Sequence, residues 1–105
     1  MAQWVRIASR DECPPGSSCE RLVGDRIIAI FNVDGSYHAI DGVCPHQAGP
    51  LAQGRVDGHV VTCPWHGWQF DLRGSAATAG ASPTPICYSV KTDGNDVLVL
   101  IDEEP

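Results

Sequence analysis

Cys44, His46, Cys63 and His66 form a Cys-x-His pair and a Cys-x-x-His pair, with sixteen residues between His46 and Cys63. A thiolate and an imidazole on each of two segments make four soft or borderline donors, a set suited to zinc or to an iron–sulfur centre. Each cysteine is followed by proline and each histidine has a glycine close behind, Gly49 in the first segment and Gly67 in the second. Proline fixes φ and carries no amide hydrogen, so it stiffens a loop while the remaining amides can turn inward. Glycine lets the backbone come close to whatever is bound. Zinc fingers usually place two cysteines on one knuckle and two histidines on the other. Here the order is Cys, His, Cys, His, which a dinuclear centre explains better, one iron taking Cys44 and Cys63 and the other His46 and His66. A structural zinc site remains the alternative at this point.

Loops of this kind need a scaffold, and the chain reads as strands and turns with almost no helix. Arg26–Val33 is β-branched and apolar, Asp34-Gly35 follows it, and residues 36–40 form a second such run. An Asp-Gly pair between two apolar runs predicts a hairpin, because both central residues must accept positive φ. The same pattern predicts hairpins at Asp57-Gly58, between 55–56 and 59–62, and at Asp93-Gly94, between 87–91 and 97–101. Gly24-Asp25 turns residues 19–23 into the strand that follows. Ser9 with Glu12 is a capping box whose helical turn ends at Pro14-Pro15-Gly16. Residues 74–85, small side chains and prolines without periodicity, read as a loop. Many short strands at regular spacing predict an all-β chain of antiparallel sheets. Each motif segment, 43–51 and 62–70, starts where a predicted strand ends.

With 105 residues there is room for one domain. Hydrophobic residues at 43% and charged ones at 19% exclude a disordered tail, and no apolar run approaches the roughly 20 residues of a membrane span. A formal charge of −6 argues against nucleic acid or anionic lipid as partners. The N-terminal segment lacks the pattern of a signal peptide and five cysteines is an odd count, so a reducing cytoplasm is expected rather than a disulfide framework.

The sequence Cys44-Pro45-His46-Gln47-Ala48-Gly49-Pro50-Leu51, with Cys63-Pro64-Trp65-His66-Gly67-Trp68-Gln69-Phe70-Asp71, is similar to the Rieske [2Fe–2S] motif, and it resembles Rieske-type ferredoxins and the Rieske domains of ring-hydroxylating oxygenases. The resemblance runs from Trp4 to Ile101. It implies a Rieske-like fold of three antiparallel sheets, a small cluster-binding subdomain at about 43–73, and one [2Fe–2S] cluster held by Cys44, His46, Cys63 and His66. Two ferric ions, two sulfides and two thiolates sum to a neutral core when both imidazoles are neutral. A neutral core accepts an electron more readily than a four-cysteine one, giving about −150 to +300 mV against about −400 mV for plant-type ferredoxins. Replacing His46 or His66 by Cys should therefore lower the potential, and reduction should be coupled to protonation at high pH. High-potential relatives join two extra loop cysteines, where this chain has Gly49 and Trp65. They also set a serine and a tyrosine hydroxyl against sulfur, where this chain has Trp68 and Phe70. Fewer hydrogen bonds to sulfur place the expected potential at the low end, about −150 to 0 mV.

No nucleotide fingerprint is visible, and a cluster with all four ligand positions filled moves one electron and binds no substrate. The resemblance therefore implies a soluble electron carrier, not a catalyst alone, that passes electrons from a reductase to a terminal oxygenase. Alternatives are a small subunit of a nitrite reductase-type complex, a Rieske protein serving another cytosolic monooxygenase or a redox-sensing role, and a structural zinc module. His38 and His59 read as surface or packed histidines. Cys13, Cys19 and Cys87 read as free thiols, Cys87 buried in a strand, with a Cys13–Cys19 disulfide the less favoured alternative in a reducing compartment. Trp65 reads as an exposed docking aromatic or a packed one, Trp68 as a lid on the cluster subdomain, and residues 102–104 as a solvated acidic end.

Overall fold

Five consecutive residues, 28–32, are buried in strand β3 (Arg26–Val33), which requires both of its faces to be covered. This computed structural model describes residues 2–24, 26–42, 50–65, 69–73, 77–79 and 86–102. β3 lies in a sheet of order β2-β3-β4-β9, with β2 at Ser18–Val23, β4 at Ser36–Asp41 and β9 at Cys87–Tyr88. On one side of this sheet packs β1-β11-β10, with β1 at Ala2–Ser9, β10 at Val90–Asp93 and β11 at Asp96–Asp102. On the other side packs β5-β6-β7-β8, with β5 at Arg55–Asp57, β6 at Val60–Thr62, β7 at Gln69–Asp71 and β8 at Ala77–Ala79. All pairings are antiparallel.

Alternation along β3 divides its side chains between two cores. Ile28 and Ile30 join Ile7, Cys13, Tyr88, Val97, Val99 and Ile101. Ala29 and Phe31 join Ile40, Leu51, Val61, Cys63, Phe70 and Leu72. Full burial of one such aliphatic side chain contributes about 1.5–3 kcal/mol, so both cores hold the middle sheet in place. Along β1 the register slips between Arg6 and Ala8, and this bulge lets the adjacent residues Ile7 and Ala8 both be buried.

The hairpin at Asp34-Gly35 is as predicted, with φ of 53° and 94° at its two central residues. The other two hairpins turn one residue later. Asp57 pairs with Val60 and Asp93 with Asp96, so the central residues are Gly58-His59 and Gly94-Asn95. Only the glycine of each pair has positive φ, as a turn demanding it at the first central position requires. The capping box forms around a 3-10 turn, Arg10–Glu12, with Ser9 and Glu12 bonded reciprocally.

Three expectations change. The run 87–91 is divided at Ser89: Cys87–Tyr88 pairs with β4, and Val90–Asp93 pairs with β11 in a different sheet. Cys87 is exposed, because β9 is an edge strand whose Tyr88 side chain takes the inward place. Within the expected loop 74–85, residues 77–79 pair with β7 as β8. β1 had no forecast, since its polar–apolar alternation is interrupted by the bulge. The acidic residues 103–104 lie outside the described residues.

Candidate metal centre

The described residues that flank the two motif segments form closed stems on the β5-β6-β7-β8 side of the middle sheet. The first segment leaves β4 at Asp41, whose carboxylate accepts from the Tyr88 hydroxyl at 2.7 Å and the Ile86 amide at 2.8 Å. The Gly42 amide donates to the Ile27 carbonyl at 2.7 Å, and the Leu51 amide donates back to the Gly42 carbonyl at 2.9 Å. That last bond ties the two ends of segment 43–50 together. A side chain at 42 would meet Ile27 Cγ2 at 2.6 Å, so the close passage over β3 needs glycine there. After Pro50 the chain makes a 3-10 turn, Leu51–Gln53, held when the Ser18 hydroxyl donates to the Ala52 carbonyl at 2.6 Å.

The second segment spans β6 and β7, whose last rung before the loop is Thr62 opposite Gln69. The Gln69 amide nitrogen also donates to the Thr62 hydroxyl at 3.3 Å. At the foot of this hairpin Leu72 donates to the His59 carbonyl at 2.7 Å. The two stems meet at Gly54, where an added Cβ would fall against the Thr62 carbonyl and lie 3.0 Å from the Leu51 carbonyl. Leu51 from the first stem and Cys63 from the second belong to one buried cluster.

Of the expected ligands, Cys63 is placed by the structure, while Cys44, His46 and His66 lie outside the described residues, as do Gly49 and Trp68. Cys63 is 1% exposed and free, and no described residue hydrogen-bonds its sulfur. A buried thiol at the end of a hairpin stem, with Phe70 in the same cluster, suits a thiolate ligand that shields its metal from water. The residues present therefore fit an iron–sulfur group. Trp65, two residues on, is 57% exposed, which settles it as a surface aromatic.

His38 and His59 sit edge to face at 5.4 Å between ring centroids, joining β4 to the β5–β6 turn. Burial, then the neighbouring His59, hold the His38 imidazole below its ordinary pKa; Asp71 opposes this and Arg73 adds to it. Arg73 grips Asp71 with two side-chain bonds of 2.9 and 3.1 Å, and with its amide it holds the carboxyl down at about 2. Among the described residues no three His, Cys, Asp or Glu side chains gather as a metal site. The histidine contact had no signal in the sequence, because it joins residues on different sheets. Gly42 and Gly54 could have been noticed as glycines flanking the first motif.

Residues 3–102 match the Rieske [2Fe-2S] domain family. The chain belongs to that family. Its cofactor is one Rieske [2Fe–2S] cluster. The ferredoxin component of the alkene monooxygenase system of Xanthobacter autotrophicus (strain ATCC BAA-1158 / Py2) is 31% identical over 108 residues, covering 98% of this chain and 85% of that protein. The biphenyl dioxygenase ferredoxin subunit of Pseudomonas sp. (strain KKS102) is 34% identical over 98 residues, covering 91% and 90%. Among solved structures, the ferredoxin of carbazole 1,9a-dioxygenase from Nocardioides aromaticivorans IC177 superposes with a TM-score of 0.85 at 29% identity, covering 92% of this chain and 96% of that one. A protein assigned as an NADH-dependent nitrite reductase small subunit from Mycobacterium tuberculosis has a TM-score of 0.88 at 22% identity, over 99% of both chains, a likeness of fold. Among the described residues no helix is long and apolar enough to cross a membrane.

Proposed function

We propose that this Rieske protein is a one-electron carrier of the cytoplasm that takes electrons from a reductase and delivers them to a terminal oxygenase, with no catalysis of its own. The observation that carries the reading is the 31–34% identity, across most of both chains, to ferredoxin components of a monooxygenase and a dioxygenase system. The whole chain, 1–105, is taken as one domain in which about 43–73 forms the cluster-binding part. Cys44 and Cys63 are assigned to one iron, His46 and His66 to the other. When bound, the [2Fe–2S] cluster supplies one-electron redox chemistry with every ligand position filled.

The protein's own work is positional. The Gly42–Leu51 bond ties the ends of one motif segment and the Thr62–Gln69 rung ties the ends of the other, so both stems are in place before the group is bound. Burial of Cys63 beside Phe70 keeps water from its sulfur, and Phe70 brings no hydroxyl to it, which supports a potential of about −150 to 0 mV. Exposed Trp65, adjacent in sequence to His66, offers an aromatic anchor to a partner docking over the histidine side. The net charge of −6 favours a basic face on that partner and a fast, salt-sensitive encounter.

The test is reduction of the reconstituted protein followed by stopped-flow mixing with an oxidised terminal oxygenase component. Dithionite should produce the electron paramagnetic resonance signal of a His/Cys-ligated diiron cluster, and the electron should transfer at a rate that falls with added salt. A loaded cluster that reduces no oxygenase component, in a chain that co-purifies with a large reductase at every concentration, would instead mark a nitrite reductase-type small subunit. Zinc without iron or labile sulfide would sink both.

A further inference from the structure

Cys13 belongs to the core on the opposite side of the middle sheet from Cys63, and Cys19 packs against it. Cys13 follows the 3-10 turn at 10–12 and is fully buried; Cys19, in β2, is half-buried. Cys13 Sγ reaches the Ile30 carbonyl at 4.0 Å, and the Cys19 side chain packs against the core cluster that holds Cys13. The backbone around them is anchored at both ends. The Cys13 carbonyl accepts from Asn32 Nδ2 at 2.9 Å and from the Tyr37 hydroxyl at 2.9 Å. Between the cysteines, Gly16 donates to the Asn32 carbonyl at 2.9 Å and the Ser17 carbonyl accepts from the Asn32 amide at 3.0 Å. Cys19 itself is in register with Ile30. Two thiols set against the same residue of a shared strand are a different object from one buried cysteine.

We propose that Cys13 and Cys19 are a dithiol site that closes to an intramolecular disulfide, separate from the cluster ligands, with a small disulfide such as glutathione disulfide as oxidant. The hydrogen bond from Cys19 lowers the pKa of Cys13, helped by Ser17 and the charge of Arg21, and the same bond raises that of Cys19. Cys13 is therefore the readier thiolate of the pair and Cys19, the one solvent can reach, is the point of attack. Cys19 gives its proton to water and bonds to one glutathione sulfur, and the other glutathione leaves as a thiolate that takes up a proton. Cys13, as the thiolate, then bonds to the Cys19 sulfur and expels the second glutathione. Two protein sulfurs are oxidised and one glutathione disulfide is reduced to two glutathiones, one of which carries away the thiolate charge that Cys13 began with.

Trypsin cleavage after Arg10 and Arg21 places both cysteines on a peptide spanning 11–21, with Cys44, Cys63 and Cys87 on other peptides. Cluster-loaded full-length protein is incubated with oxidised or reduced glutathione, quenched by alkylation, digested and weighed by mass spectrometry. After oxidation the 11–21 peptide should lack two hydrogens and carry no alkyl group, and dithiothreitol should restore two alkylatable thiols. Cys13→Ser should trap a glutathione on Cys19, and Cys19→Ser should leave Cys13 as an alkylated thiol. The visible spectrum of the cluster, taken on the same samples, should be the same before and after. Full alkylation of both cysteines in oxidised wild type, or glutathione remaining on wild-type Cys19, would overturn the proposal. Either result is independent of whether the protein serves an oxygenase.

Discussion

The two cores share β3 as a wall, yet they differ in what surrounds their buried cysteines. In the core toward β1 and β11, Cys13 is surrounded by polar partners: its carbonyl accepts two bonds and its sulfur meets the Ser17 hydroxyl and the Ile30 carbonyl. In the core toward β6 and β7, Cys63 is as deeply buried but its sulfur bonds to no described residue, and it stands where a hairpin stem gives way to a loop. Burial alone does not separate a ligand from a core thiol. The neighbours of the sulfur and the direction in which the chain leaves do.

Substitution of the two cysteines is the sharpest way to break this contrast. Cys63→Ser should abolish cluster assembly, seen as loss of iron, labile sulfide and brown colour, whereas Cys13→Ser should keep all three. Ile30→Ala, in the core away from the cluster, should destabilise the protein by about 2–5 kcal/mol in urea unfolding while leaving the midpoint potential unchanged. Phe70→Tyr, in the core beside Cys63, should do the reverse, adding a hydroxyl near sulfur and raising the potential by on the order of tens of mV at little cost in stability. The smallest effect concerns His38, whose pKa is lowered by burial in the fold. The unfolded chain then binds the proton more readily, so the stability this side chain supports is complete above the ordinary histidine value of about 6.5 and declines as pH falls through it. His38→Gln should flatten the acid side of the urea midpoint plotted against pH, and an unaltered slope would show that His38 has no part in it.

The legibility of the sequence also differed between the halves. β3, the Asp34-Gly35 hairpin and the capping box could be read from the chain because each depends on near neighbours, apolar runs or turn chemistry. The two later turns were displaced by one residue because Asp-Gly reads alike whether glycine is the first or second central residue, and only the pairing of Asp57 with Val60 and Asp93 with Asp96 decides. The change of sheet at Ser89 had no local mark, since β9 and β10 are defined by partners more than forty residues away in one case and by β11 in the other. For the site, residue type and spacing were enough to name the chemistry. The stems that close it were not legible, because Gly42 and Gly54 matter through what they pass, Ile27 and Thr62, and those contacts are long-range.

A strand covered on both sides has nowhere to slide. Were β3 to shift by one position against its neighbours, Ile28 and Ile30 would be exchanged for Ala29 and Phe31 in each layer at once. One layer would then hold a benzyl group where a branched aliphatic belongs, and the other would gain the reverse misfit. Alignment errors are thus rejected twice over, and the scaffold that carries the two stems comes in a single edition.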